Sequence, residues 1–158
     1  KSINSKSNLS FHTGDITTYK PQLKDIDFIT LFDIIEHVPI EHHRTLFQSI
    51  NKYSKEGTKV LINIPSPQSI EYDEKHQPEV LQIIDQAVYI DTIIESIKGT
   101  DLSLTYFESY GIWVENDYNF IVLEKRKAYD NAQLQTKRSF IEKLRVKLRR
   151  IKIRLFYN

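Results

Sequence analysis

The chain is 158 residues long, 40% apolar and 27% charged, with no cysteine, no methionine and a net charge of +1. That size suits one domain with a real core, and the lack of cysteine excludes disulfides and thiolate metal sites. No run approaches the roughly 18 consecutive apolar residues of a membrane-spanning helix, and no segment reads as a signal-peptide core.

In chain order, Leu9 to His12 is a short apolar stretch before Thr13-Gly14-Asp15, the pattern of a strand running into a turn. Asp27 to Phe32 is a nearly continuous apolar run, as expected of a strand buried on both faces. Pro39 and Glu41 open a helix with Leu46, Phe47, Ile50 and Tyr53 at helical spacing, ended by Lys55-Glu56-Gly57. Lys59 to Ile64 is a third strand, stopped by Pro65-Ser66-Pro67. Strand, helix and strand in this length form a βαβ crossover with parallel pairing. Residues 68–80 read as a long polar loop and Leu81 to Ile97 as a helix. Leu102 to Tyr110 and Tyr118 to Glu124 read as a closing antiparallel pair of strands. The expected class is α/β, an open, mostly parallel Rossmann-like sheet with a terminal antiparallel pair.

Phe11-His12-Thr13-Gly14-Asp15-Ile16, then DFITLFDIIEHV, a helix and KEGTKVLINIPSP together resemble the later motifs of class I S-adenosylmethionine-dependent methyltransferases. The resemblance extends over residues 1–127 and is to the subgroup with Glu-His-Val after the fourth strand, as in ubiquinone-biosynthesis-type enzymes. It implies S-adenosylmethionine as cofactor, with Asp15 on the adenine amino group, Ile16 on the adenine ring, and Leu31 and Phe32 bordering the methionine part. It also implies that Asp33, Glu36 and His37 open toward a small-molecule acceptor. The family's glycine-rich first motif is absent, and the four glycines, at 14, 57, 99 and 111, cannot form it. Lys1 is not an initiator methionine, so the expectation is that the family's N-terminal strands lie outside this chain.

Glu36, His37, Glu41, His42 and His43 invite a metal site, but His37 and His42 are five apart and Pro39 interrupts any shared helix, so no metal is expected. Glu36 reads either as a catalytic acid or as a helix-start carboxylate. His37 reads either as a general base or as a hydrogen-bonded structural histidine. Asp33 and His76 stand behind it as candidate bases, and catalysis by positioning alone stays open. Tyr72, Asp73 and His76 fall in the expected loop, which is either a cover for the acceptor site or a solvated surface. Trp113, the single tryptophan, reads as a cover for the sheet edge.

The tail stands apart. Residues 131–158 hold nine Lys/Arg against the single acid Glu142, whereas residues 1–130 hold thirteen against twenty. The expected division is a partial methyltransferase-like domain over 1–128 and a basic amphipathic tail over 129–158. Phe140, Ile141, Leu144, Leu148, Ile151 and Leu155 fall in a stripe about 100° wide, flanked by Arg145, Lys147, Lys152 and Arg154. A peripheral membrane contact or a protein contact, on the domain or a second subunit, through residues 137–156 accounts for such a stripe; nucleic acid fits an acidic body poorly.

The expected function is methyl transfer from S-adenosylmethionine to a small acceptor with an oxygen or nitrogen nucleophile. Lipid-linked, quinone-like or glycan precursors are the guesses for it. The rival is a non-catalytic scaffold that uses the basic helix to hold a partner. The expected location is cytoplasmic, at the membrane inner face if the tail is an anchor.

Overall fold

The computed structural model describes residues 11–21, 25–127 and 139–156, the last five of these by backbone alone. The chain divides into two compact units, residues 1–127 and 128–158.

The first unit is built on a four-stranded sheet. Strand β1 is Ile26–Phe32, helix α1 Ile40–Tyr53, β2 Ser54–Pro65, α2 Pro67–His76, α3 Ile90–Ile97, β3 Leu102–Tyr110 and β4 Tyr118–Lys125. The strand order is β1-β2-β4-β3. Strands β1 and β2 run parallel, with Leu31 opposite Ile62 and Phe32 opposite Asn63. Strand β4 pairs antiparallel with both β2 and β3. This is the open Rossmann-like α/β sheet expected, with the crossover α1 between its parallel strands and an antiparallel pair at the far edge.

The alternation of β2 explains its place in the middle. Val60, Ile62 and Ile64 are buried while Leu61, Asn63 and Pro65 are only partly so. They meet Leu46, Phe47 and Ile50 of α1, Ile93 and Ile97 of α3, and Ile121 and Leu123 of β4 in one core cluster. Each fully buried isoleucine there contributes about 1.5–3 kcal/mol.

Several expectations needed correction. Strand β1 is not buried on both faces: it is an edge strand, and Phe28 and Phe32 are 63% and 49% exposed. Its continuous apolar run is shared by edge and central strands alike. Helix α1 ends at Tyr53, and Lys55-Glu56-Gly57 belongs to the bulged start of β2. There Thr58 Oγ1 donates to the Ile26 carbonyl and accepts from the Lys55 amide at 3.0 Å.

Residues 68–80 are not a loop: α2 occupies most of them, followed by a 3-10 turn at Pro78–Val80. Ser66 caps α2, its Oγ accepting the Ser69 amide at 3.3 Å, and Pro67 takes the first helical position, where its missing N–H is no loss. The helix expected from Leu81 begins only at Ile90. Asp85 accepts the Gln82 amide at 2.6 Å, and Gln86 Nε2 donates to the carbonyls of Glu36 and Val38 at 3.3 and 3.0 Å. The two Gln86 bonds tie this segment to the chain after β1 in place of helical pairing. Of the Leu9–His12 stretch, residues 9 and 10 lie outside the described residues and 11 and 12 are irregular.

The described part of the second unit is one helix, α4, Phe140–Phe156. It opens with a reciprocal cap: the Glu142 amide donates to Ser139 Oγ at 3.3 Å and the Ser139 amide to Glu142 Oε2 at 2.8 Å. Phe140, Ile141, Leu144, Leu148 and Ile151 of the stripe are all exposed; the side chains of Lys152, Arg154 and Leu155 lie outside the described ones.

Candidate functional site

In an open α/β sheet, ligands bind beyond the carboxyl ends of the parallel strands. Here the chain leaves β1 through Asp33, whose φ of 50° lies in the left-handed region, while its amide still donates to the Asn63 carbonyl at 2.8 Å. For a residue other than glycine that conformation costs on the order of 1 kcal/mol and commonly marks a functional position. It turns the chain into a 3-10 turn at Ile35–His37. Buried His43 secures that turn from α1, its Nε2–H donating to the carbonyls of Ile35 and Val38 at 2.9 and 2.8 Å. His43 is thereby a structural residue, and the acid–histidine run disperses: His43 faces inward while His42 is exposed.

Asp33, Glu36 and His37 line one cleft of about 320 Å³, together with Asp73 of α2, Asp85, and Asp117 and Tyr118 at the start of β4. His37 is held from a segment distant in the chain. Its Nδ1 lies 2.7 Å from Asp85 Oδ1 and 2.7 Å from the Ile84 carbonyl. Both are acceptors, so Nδ1 carries the hydrogen in the neutral ring and Nε2 keeps its lone pair. The side-chain nitrogen of Gln82 sits 3.3 Å from that Nε2, in place to donate to it. An imidazole so fixed is oriented to accept a proton at one known atom.

Glu36 is 2% exposed, and its Oε2 has no hydrogen-bond partner among the described residues. Burial pushes its carboxyl up to about 7, against the pull of its own backbone N–H and of His37. Its own amide is the one turn-start N–H that pulls on this carboxyl. Burial, and then the Asp33 carboxylate to which its hydroxyl donates, push Tyr118 up to about 12.

Asp117 shapes the rim. It accepts the amides of Ile112, Trp113 and Val114 at 2.7, 2.9 and 3.1 Å. Burial pushes its carboxyl up, but these donors outweigh it and hold the group below the usual range. Gly111 allows the tight turn, since a Cβ there would lie 2.6 Å from the Val114 carbonyl oxygen. The turn carries Trp113, which lines the cleft and is 85% exposed, so it is not the sheet-edge cover expected. Replacing Asp117 by Ala removes all three acceptors, and amide exchange at Ile112, Trp113 and Val114 should then rise to the rate of unprotected amides. Unchanged exchange would show that the carboxylate does not hold the turn.

The remaining expected site residues are distributed differently. Ile16 and Leu31 line a second, apolar groove of about 230 Å³ between β1 and α1. Asp15 is exposed, and its Oδ1 accepts both the amide and the hydroxyl of Thr17, which holds its carboxyl below the usual range. Its Oδ2 has no hydrogen bond among the described residues. Phe32 points to the sheet face opposite Leu31, as alternation requires. His76 ends α2 and packs on Tyr72, ring centroids 4.6 Å apart, outside the cleft lining; Asp73 of the same helix is in it.

Asp85, Gln82, Asp117 and Tyr118 were not singled out from sequence. Asp85 was hidden in an apparent helical repeat, and the others signal their role only once the sheet order is known. Asp117 alone left a trace, following the turn residues Gly111 and Asn116.

No family model matches the chain, and neither does any curated protein. Solved structures do. A S-adenosylmethionine-dependent methyltransferase from Clostridium acetobutylicum superposes with a TM-score of 0.56 at 11% identity, over 73% of this chain and 64% of that one. The N-methyltransferase NodS from Bradyrhizobium japonicum, in complex with S-adenosyl-L-homocysteine, gives 0.58 at 13%, over 77% of this chain and 56% of that one. A protein described as a pericyclic reaction enzyme gives 0.54 at 14%, over 72% of this chain and 29% of that one. The chain thus spans less than two thirds of the length of each. Identities this low speak to architecture, and one architecture hosts several chemistries. Over part of their length, the chain shares the Rossmann-like α/β fold of these S-adenosylmethionine-dependent methyltransferases.

Proposed function

We propose that the chain serves methyl transfer from S-adenosylmethionine to a small-molecule acceptor, within the Glu-His-Val subgroup that its sequence resembles. The observation that carries this reading is the cleft beyond β1 and β2, in which Asp85 fixes His37 with Nε2 as the basic atom.

The residues present suit the cofactor. The groove lined by Ile16 and Leu31 offers an apolar slot for a flat ring, and Asp15 keeps one carboxylate oxygen for an exocyclic amine. S-adenosylmethionine would supply a methyl group on a sulfonium, reactive without further activation. What is left to this chain is to position the acceptor and take its proton. His37 Nε2 takes the proton, Asp85 holds the ring and stabilises its protonated form, and Asp33 with Tyr118 forms the adjoining wall. His76 lies outside this arrangement.

The test is calorimetric titration of the whole encoded protein with S-adenosylmethionine and with its demethylated product. Saturable heat with both is expected. No heat with either overturns the reading and leaves the scaffold alternative.

Helix α4 has a separate expectation. Its exposed apolar stripe lies between basic residues, which suits an anionic membrane surface, where each cation contributes about 1 kcal/mol. No described helix is long and apolar enough to cross a membrane. Co-sedimentation with anionic vesicles should be strong for the intact chain and lost on deleting residues 131–158. Equal binding with and without the tail would defeat the anchor, and a change of solution mass on deletion would make the helix a subunit contact.

A further inference from the structure

The cleft beyond β1 is lined by five carboxylates, those of Asp33, Glu36, Asp73, Asp85 and Asp117, and among the described residues by no lysine or arginine. Most of these groups already have partners. Asp117 is taken up by three backbone amides. Asp85 holds His37 and the Gln82 amide. Asp33 accepts from Tyr118. Glu36 is different: it belongs to the cleft lining at 2% exposure, its Oε1 lies 3.8 Å from His37 Nε2, and its Oε2 has no partner among the described residues. A buried acceptor left unmatched costs about 1–3 kcal/mol, more when charged, and at the wall of a cleft it points to a partner that enters there.

We propose that this cleft binds a primary or secondary ammonium group, with Glu36 as its principal counter-charge and Asp33 beside it. The assignment of that group as the methyl acceptor rests on the methyl-transfer reading. The ammonium form brings the positive charge and the N–H donors that Glu36 Oε2 lacks. His37 Nε2 is then the acceptor for the proton that must leave before the nitrogen has a lone pair. An acceptor carrying phosphate or carboxylate next to its nucleophile meets a lining of five carboxyl groups with no lysine or arginine among the described residues and is disfavoured, which turns the expectation away from lipid-phosphate and acidic glycan precursors.

Glu36 also supplies a signature independent of turnover. Its raised carboxyl is largely protonated at pH 6 in the empty cleft, and a bound cation favours the ionised form. Binding at pH 6 should release about one proton per site.

The experiment is calorimetric titration of the chain with benzylamine, benzyl alcohol and benzoate at pH 6, in two buffers of different ionisation enthalpy. Benzylamine should bind at least about tenfold more tightly than the alcohol, benzoate should not bind, and the heat should depend on the buffer as proton release requires. Glu36→Gln should weaken benzylamine about tenfold or more and abolish the buffer dependence, leaving benzyl alcohol unaffected. No binding of benzylamine, equal binding of the alcohol or benzoate, or an unchanged Glu36→Gln variant would overturn the proposal. So would displacement of benzylamine by the demethylated cofactor, which would assign the carboxylates to the cofactor's own amino group. The amine-over-alcohol preference needs no variant, so it stands even if the substitution disturbs folding. Failure of S-adenosylmethionine to bind sinks the methyl-transfer reading but not the ammonium site, and loss of amine preference does the reverse.

Discussion

Replacing His37 by Gln should lower kcat for methyl transfer by roughly 10²–10³-fold while leaving the KM for S-adenosylmethionine within a few-fold. The reason lies in the ring's fixed orientation. With Asp85 Oδ1 and the Ile84 carbonyl both 2.7 Å from Nδ1, the hydrogen resides there and Nε2 is the proton acceptor. Gln82 lies 3.3 Å from Nε2, a contact that an incoming acceptor replaces. Glutamine keeps a polar group of similar reach but no basic nitrogen. The loss should fall on kcat and not on the KM for the cofactor, a split that a merely structural histidine would not produce. Asp85→Asn should also lower kcat, by about 10-fold or more, because an amide can present its N–H to Nδ1 and stabilise the wrong tautomer. If the whole encoded protein loses less than tenfold in the His37→Gln variant, positioning alone carries the catalysis.

Much of this arrangement was legible in the sequence where a period is strong. The apolar run of β1, the helical spacing of Leu46, Phe47 and Ile50, and the apolar strand Lys59 to Ile64 stopped by Pro65 identify the βαβ unit, and the end of β1 leads directly to Asp33 and His37. The same patterns misled where another interaction competed. Pro65-Ser66-Pro67 reads as a stop for a strand, yet Ser66 and Pro67 are also the cap and first residue of a helix, and α2 follows although only Pro67 and Ile70 in it are buried. Leu81 to Val88 has helical spacing, but Asp85 and Gln86 spend their side chains on the turn after β1. A continuous apolar run does not tell how many faces of a strand are covered, and in β1 the face of Phe28 and Phe32 stays exposed. Asp85, Asp117 and Tyr118 reach the cleft from segments about 50 to 80 residues beyond Glu36. Nothing local announces that convergence, because it is created by β4 inserting between β2 and β3.

The largest expected effect on stability comes from Glu36. Its carboxyl is raised from 4.5 to about 7 in the folded chain, so between those values the native state binds the proton that the unfolded state has released. Stability must then fall as pH rises through that window, by about 3 kcal/mol in total, with no further loss above it. Asp15 and Asp117 have the opposite sign: their lowered carboxyls contribute stability that is present above the unfolded value of 3.8 and lost as pH falls through the folded one. The Glu36 contribution is therefore isolated by comparison with Glu36→Gln, which keeps the shape and removes the ionisation. The cost of an unmatched buried amide in the variant is independent of pH and drops out of the trend. Urea unfolding of both proteins should show the variant gaining on the parent by about 3 kcal/mol between pH 4 and pH 8, with most of the gain between pH 5 and pH 7. A constant gap across that range would mean that Glu36 titrates as an ordinary carboxylate and that burial does not hold its proton. At pH 8 saturating benzylamine should narrow the gap, because the ammonium stabilises the ionised Glu36 of the parent and lacks that principal counter-charge in the Glu36→Gln variant. The same carboxyl thus connects the fold's pH dependence to the ligand its cleft is built to receive.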